Sequence, residues 1–207
     1  MSENNINNPS PSTPRRKPNS AVSTALCGVF AALIAVSAFI KIPIPFVPVT
    51  LQSSMAVLAG TILGKKNGTI AVLLYVAAGL AGLPVFVQGG GIGYFAVPTF
   101  GYLIGFIFGA FLSGWIAEGG GRAAASTAAA TAPPRFGRLL LANLAGLVPI
   151  YLVGVPYLYF ALNVLGGGGI TPTQALVSGL AVCLPGDMLL CLPISYIALR
   201  IKKLRLK

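Results

Sequence analysis

One pattern constrains this chain more than any other. Long uncharged apolar runs alternate with short joints, and the positive charge collects in every second joint. The first run, Ala21–Ile40, is 20 residues long, enough to cross a hydrocarbon layer of roughly 30 Å as a helix. It exceeds the apolar core of a secretory leader, typically about 7–15 residues, and more runs follow it. Of 207 residues, 56% are hydrophobic and 8% are charged, where a soluble domain carries roughly 25% charged residues. An ordinary soluble domain is excluded, and the chain reads as an integral protein of the cell membrane that crosses it several times.

Residues 1–19, rich in Asn, Pro and Ser, are expected to form a disordered cytoplasmic tail. Residues 20–201 read as one membrane domain, an all-α bundle of six transmembrane helices, and 202–207 as a basic cytoplasmic tail. The first helix ends at Lys41, because Pro43, Pro45 and Pro48 cannot propagate it; an extended loop is predicted there. The second and third helices, about Leu51–Leu63 and Thr69–Leu83, are short and flank Gly64-Lys65-Lys66-Asn67-Gly68. Residues 84–99 are uncharged and dense in Gly, which predicts an apolar non-helical loop. A fourth helix follows at about Phe100–Ala117, then a low-complexity cytoplasmic linker at 119–138. The fifth, about Leu139–Leu165, has kinks expected at Pro149 and Pro156; Gly166–Gly169 breaks it. The sixth, about Thr173–Leu199, is perturbed at Pro185-Gly186 and Pro193. With six spans and both termini cytoplasmic, every Lys and Arg except Lys41 lies on the inside. That bias is the positive-inside rule at full strength, and a wrong helix count would scramble it.

Composition also removes whole classes of chemistry. The chain has no His, and its only acids are Glu3, Glu118 and Asp187. Histidine bases, histidine metal sites and paired intramembrane aspartates are excluded, which argues against an intramembrane protease. Cys27, Cys183 and Cys191 lie in apolar stretches without CxxC spacing and read as small buried hydrophobes; no metal site is expected. The basic residues sit at chain ends and joints rather than along one folded face, so nucleic acid is not expected as a partner; the lipid bilayer is. Gly60-x3-Gly64-Lys65-Lys66 lacks the spacing and the Ser/Thr of a Walker A loop, so the chain does not itself use ATP. Gly89-Gly90-Gly91-Ile92-Gly93 lacks the dinucleotide fingerprint.

The outward segments 41–50, 84–99 and 166–172 are rich in Gly or Pro and almost uncharged. Such loops suit lids over a cavity, where glycine backbone can approach a ligand closely; tight greasy turns are the plain alternative. Asp187 is the one acid within an apolar segment, and an ionisable group there is costly enough to signal function. Gln52 and Gln88 flank the expected cavity, with amides that both donate and accept. Tyr94 and Tyr102 are candidate hydrogen-bonding walls. Gly101, Gly105 and Gly109 form a close-packing stripe, and the small residues Ala21/Ala25 and Ala31/Ala35 give the first helix a smooth face.

PVTLQ (Pro48–Gln52), GLAGLPVF (Gly79–Phe86), the glycine loop 89–93, PTFGYLIGF (Pro98–Phe106) and LPGD (Leu184–Asp187) resemble, in order and spacing, the BioY family over about residues 21–200. That family comprises the biotin-binding S components of energy-coupling-factor (ECF) transporters. The resemblance implies a six-helix bundle, no catalysis and no cofactor. It implies biotin held beneath the loops after the first and third helices by Thr50, Gln52, Gln88, Gly89, Gly91, Gly93, Tyr94, Tyr102 and Asp187. It also implies a transmembrane T component and two ATPase subunits as partners, with Ala31 and Ala35 as the docking pair. Two positions depart from the family pattern: Phe100 replaces a glycine of PTGGY, and Leu190 stands where DxxK has its lysine. Lys41, the one outward cation, is a candidate substitute. An S component for another small vitamin, or a self-sufficient carrier, is the alternative.

Overall fold

The computed structural model describes residues 20–43, 47–119, 135–166 and 169–205. The predicted tail at 1–19, most of the 119–138 linker, Gly167–Gly168 and the last two residues lie outside them. The elements in order are α1 (Ser20–Ser37), a two-stranded antiparallel hairpin of β1 (Lys41–Ile42) and β2 (Val49–Thr50), and α2 (Gln52–Leu80). A 3-10 helix (Ile92–Ala96) and α3 (Phe100–Ala117) follow, then α4 (Phe136–Phe160), which continues as a π turn (Ala161–Leu165). The last segment is α5 (Pro172–Leu176), a second π turn (Val177–Ala181) and α6 (Leu184–Arg205). Four helical stretches are long and apolar enough to cross a membrane: Gln52–Leu80, Phe100–Ala117, Phe136–Leu165 and Pro172–Leu204. The shorter Ala21–Ser37 is also apolar.

α2 is not one straight rod. Gly64 has φ 86° and ψ 170°, a conformation almost confined to glycine. Backbone of Gly60 abuts Gly68, and the Gln52 amide donates to the Tyr75 hydroxyl. In a continuous helix those pairs would stand roughly 12 Å and 35 Å apart, at 1.5 Å per residue. The chain therefore doubles back at Gly64 into two antiparallel halves. The sequence-based break was expected to occupy residues 64–68, yet only Gly64 leaves helical geometry. The helix resumes at Lys65, whose N–H is accepted at 3.1 Å by the carboxylate of Glu118, at the end of α3. A carboxylate satisfies an orphan donor and complements the dipole at a helix N-terminus.

α3 is the hub, packing chiefly on α2 and α4, while α1 packs on α2. The glycine stripe lets backbones touch: a Cβ at Gly105 would fall on the Ile150 backbone, and one at Gly109 on Gly146. The same helix meets α2 through Ala110 at Gly60 and Gly114 at Lys65. A polar clasp joins three helices deep in the bundle. The Thr61 hydroxyl donates to Asn143 Oδ1 (2.6 Å), Asn143 Nδ2 donates to Ser195 Oγ (2.9 Å), and Ser195 donates to the Cys191 carbonyl (2.6 Å). All three cysteines are free and buried, as expected.

Other expectations need adjustment. The predicted extended loop after the first helix is paired, with Lys41 opposite Thr50 and Ile42 opposite Val49. The 84–99 loop contains a turn of 3-10 helix. Pro149 and Pro156, the expected kink positions, lie inside α4 without ending it. Pro185-Gly186 does not break the last segment: both lie in the first turn of α6, and the irregular backbone precedes them at 177–183. A proline near a helix start costs nothing in hydrogen bonds, because N–H groups there have no partner to lose.

Replacing Gly64 with Ala puts a side chain into a glycine-only conformation and against Glu118. The substitution is expected to lower stability by about 1–3 kcal/mol, read as a lower melting temperature in detergent, with Gly137→Ala, where a Cβ meets open space, as the unaffected control.

Candidate functional site

The contacts sort the molecule into two ends. At one end lie the Gly64 turn with Lys65 and Lys66, the end of α3 at Glu118, and the start of α1, whose Cys27 Sγ contacts the Asn67 carbonyl. At the other end the β hairpin and residues 81–99 form a roof over the mouths of α2, α3, α4 and α6. The roof holds its own backbone. Phe86 and Gly89 exchange N–H···O=C bonds at 2.9 and 3.2 Å, and the Gly91 N–H reaches the Gly79 carbonyl at 2.7 Å. Gly82, Gly89 and Gly91 adopt positive φ to allow these turns. Tyr157 ties the roof to α4 by donating to the Phe95 carbonyl.

Beneath the roof are two adjoining cavities of about 40 Å³ each. They share Val47, Pro48, Thr50, Tyr102 and Phe106 as walls. The first also meets Gln52, Tyr75, Val87, Tyr94 and Thr99. Its polar atoms are paired: Gln52 with Tyr75, and Tyr94 Oη with Thr99 Oγ1 at 3.0 Å. Phe86 packs between the rings of Tyr75 and Tyr94, at centroid separations of 5.4 and 4.5 Å. Burial pushes the Tyr94 phenol up from its ordinary pKa, more than its hydrogen bonds with Thr99 and the Gln88 backbone pull it down, so it stays protonated at neutral pH.

The second cavity ends at Asp187, with Ser53, Ile150, Tyr151 and Cys183 around it. Asp187 is 3% exposed. Ser53 donates to its Oδ1 at 2.7 Å and Tyr151 to its Oδ2 at 2.6 Å. Both partners are neutral hydroxyls. The carboxyl group thus joins α2, α4 and α6 at one point and offers further acceptor lone pairs to a ligand N–H.

The predicted residues distribute unevenly. Thr50, Gln52, Tyr94, Tyr102 and Asp187 line the cavities. Tyr102 also donates to the Gly179 carbonyl at 2.9 Å, beside the second π turn. Gly89, Gly91 and Gly93 shape the roof rather than the cavity walls, and the Gln88 side chain is exposed. Ala31 and Ala35 are half-buried and pack on the core, while Ala25, Gly28 and Ala32 are exposed on the other side of α1. Sequence reasoning missed Ser53, Tyr75, Thr99, Phe106 and Tyr151. The tyrosines carried a signal: a buried phenol in an apolar run needs a polar partner. Leu190, half-buried against the core, brings no charge to the chamber.

A further open volume, about 500 Å³ and larger than either cavity, lies elsewhere, in an apolar groove between α4 and the α5–α6 segment. Val148, Leu152 and Met188 in its walls are exposed, and its one polar wall residue, Tyr151, directs its hydroxyl to Asp187. Hydrogen-bonding side chains are concentrated instead around the two smaller cavities.

Comparison with known proteins identifies the family and the fold. A model of the BioY family matches residues 11–207. A probable biotin transporter BioY of Lysinibacillus sphaericus is 48% identical over 148 residues, covering 72% of this chain and 70% of its own. The biotin transporter BioY of Thermotoga maritima is 38% identical over 181 residues, covering 87% and 95%. The crystal structure of the S-component for biotin from an ECF-type ABC transporter superposes with a TM-score of 0.74 at 30% identity, covering 90% of this chain and 94% of that one.

Tyr151→Phe removes one of the two donors to a buried carboxyl group. It is expected to cost about 1–3 kcal/mol in denaturation of the purified protein, with Ser53→Ala giving a loss of the same order. The double variant should lose less than the sum, since both act on Asp187.

Proposed function

The chain belongs to the BioY family, and we propose that it takes up biotin across the cytoplasmic membrane as the S component of an ECF transporter. The observation that carries this reading is the roofed chamber: apolar and aromatic walls, with paired polar groups at Gln52–Tyr75 and at Ser53–Asp187–Tyr151. Biotin has the matching profile, an apolar bicycle and aliphatic chain with a ureido group at one end and a carboxylate at the other. The members of this family are transporter components and not enzymes. Asp187 accepts from ureido N–H groups, Gln52 and Thr50 serve its polar edge, and Tyr94 and Tyr102 wall the ring. The existing cavities hold a water or two at most, so the roof parts to admit a vitamin. The roof's glycines at positive φ, among them Gly89 and Gly91, supply backbone that can rearrange there.

This reading has six spans within one membrane domain over 20–201: α1, the two halves of α2, α3, α4, and the α5–α6 segment. An even count places both termini on one side. Lys65, Lys66, Arg135, Arg138, Arg200, Lys202 and Lys203 sit at the joints opposite the roof, so that end is cytoplasmic and the roof faces outward. No ATP-binding loop is present in the sequence, so energy comes from a transmembrane T component and two ATPase subunits. The small-residue face of α1, with Ala31 and Ala35 at its inner edge and Ala25, Gly28 and Ala32 outward, offers the T component a close approach. Leu190 favours a second reading, an S component for a different small vitamin, because the chamber lacks an intramembrane cation.

Calorimetric titration of the detergent-purified protein tests the assignment. Biotin is expected to bind at one site per chain, with thiamine and riboflavin inert at the same concentrations. Asp187→Asn is expected to weaken biotin by about tenfold, the loss of a charge-assisted hydrogen bond. Heat with thiamine or riboflavin but not with biotin overturns the biotin assignment and favours the second reading.

A further inference from the structure

The chamber's polarity is lopsided in a way that orients an anionic ligand. Its inner acid, Asp187, repels a second carboxylate. Of the described cations, Lys65, Lys66, Arg135, Arg138, Arg200, Lys202, Lys203 and Arg205 belong to the opposite end. Lys41 alone belongs to the roof. Its Nζ donates to the Val87 carbonyl at 3.1 Å, bridging the β hairpin to the 81–99 loop across 46 residues of chain. Val87 is a wall of the first cavity, and Thr50, the strand partner of Lys41, is a wall of both. Lys41 is exposed and lines neither cavity; its ammonium joins, from outside the walls, the two pieces of roof that must part for entry. It has three N–H donors, of which Val87 engages one. Neither described acid serves it: Glu118 is bonded to Lys65 at the far end, and Asp187 lies between Ser53 and Tyr151.

We propose that Lys41 is the specificity residue for the ligand's carboxylate: it pairs with that group at the rim while the ureido end points inward, and its bond to Val87 draws the two halves of the roof over the occupied chamber. The proposal rests on the biotin reading above. It gives the chamber the cation that Leu190 denies it, supplied from the roof in place of the last helix. It also predicts discrimination by charge, since a ligand with the same ring and chain but a neutral end gains nothing from Lys41.

The test compares biotin with biotinamide, its neutral carboxamide, on wild type, Lys41→Gln and Lys41→Arg. Gln keeps an N–H for the Val87 carbonyl and loses the charge; Arg keeps the charge. Wild type is expected to prefer biotin by about tenfold, the scale of a hydrogen bond to a charged group. Lys41→Gln should erase the preference by weakening biotin alone, with biotinamide within about twofold of wild type, and Lys41→Arg should retain it. Equal weakening of both ligands by Lys41→Gln overturns the pairing and leaves a structural strap. An undiminished preference in Lys41→Gln overturns it too, by putting the carboxylate elsewhere. Wild type that binds neither ligand overturns the biotin reading itself, an outcome distinct from both.

Discussion

Helices in lipid gain little by hiding apolar surface from one another, because acyl chains are as apolar as leucine. This fold depends on close backbone approach instead. α3 carries glycine on one side against α4 and small residues on the other against α2, so three backbones come within contact distance. Dispersion forces, each worth a fraction of a kcal/mol, become effective only at such distances. The short halves of α2 are held against α3, and Glu118, which caps the end of α3, fastens the start of the second half. The roof, in turn, stands on this platform: Gly79, at the end of α2, receives the Gly91 N–H, and Thr99, at the start of α3, meets Tyr94.

Polar groups divide the interior into two regions with different tasks. Toward the basic end, the Thr61–Asn143–Ser195 clasp is closed on itself, with donors and acceptors matched among three helices. Such a network rigidifies. Toward the roof, the hydroxyls and the carboxyl group are also paired, yet they face cavities and retain spare lone pairs. Further hydrogen bonds can form there without breaking the bundle below. The division explains how a membrane domain with so few ionisable groups can be both firm and receptive.

Much of this was legible in the sequence, and the particular residues show why. The apolar runs and the one-sided charge exposed the helices and their joints, since lipid imposes length and charge rules on each span separately. Asp187 stood out because an acid in an apolar run has few bland explanations. PVTLQ and LPGD located both ends of the chamber. Three features were less readable. Gln88 is polar and adjacent to the glycines, but the turn at Phe86–Gly89 directs its side chain outward. Ser53 and Tyr151 acquire their meaning from a contact between helices 36 to 134 residues apart in sequence, which no local pattern records. The break expected at Pro185-Gly186 moved because the π turn upstream shifts where the last helix begins.

The final segment has the weakest packing of the long spans: 28% of its apolar window is buried, against 50% to 61% in the other three. A rod so thinly covered, with leucine and isoleucine around its circumference, has little steric reason to choose one rotation about its axis. Two hydrogen-bonded side chains about two turns apart, Asp187 and Ser195, help make that choice by engaging α2 and α4, alongside the Tyr102 bond to the Gly179 carbonyl. They act as dowels: lipid can slide past the outer face while the inner face stays indexed to the bundle. The one acid of the spans is thus also the part that tells its helix which way to face.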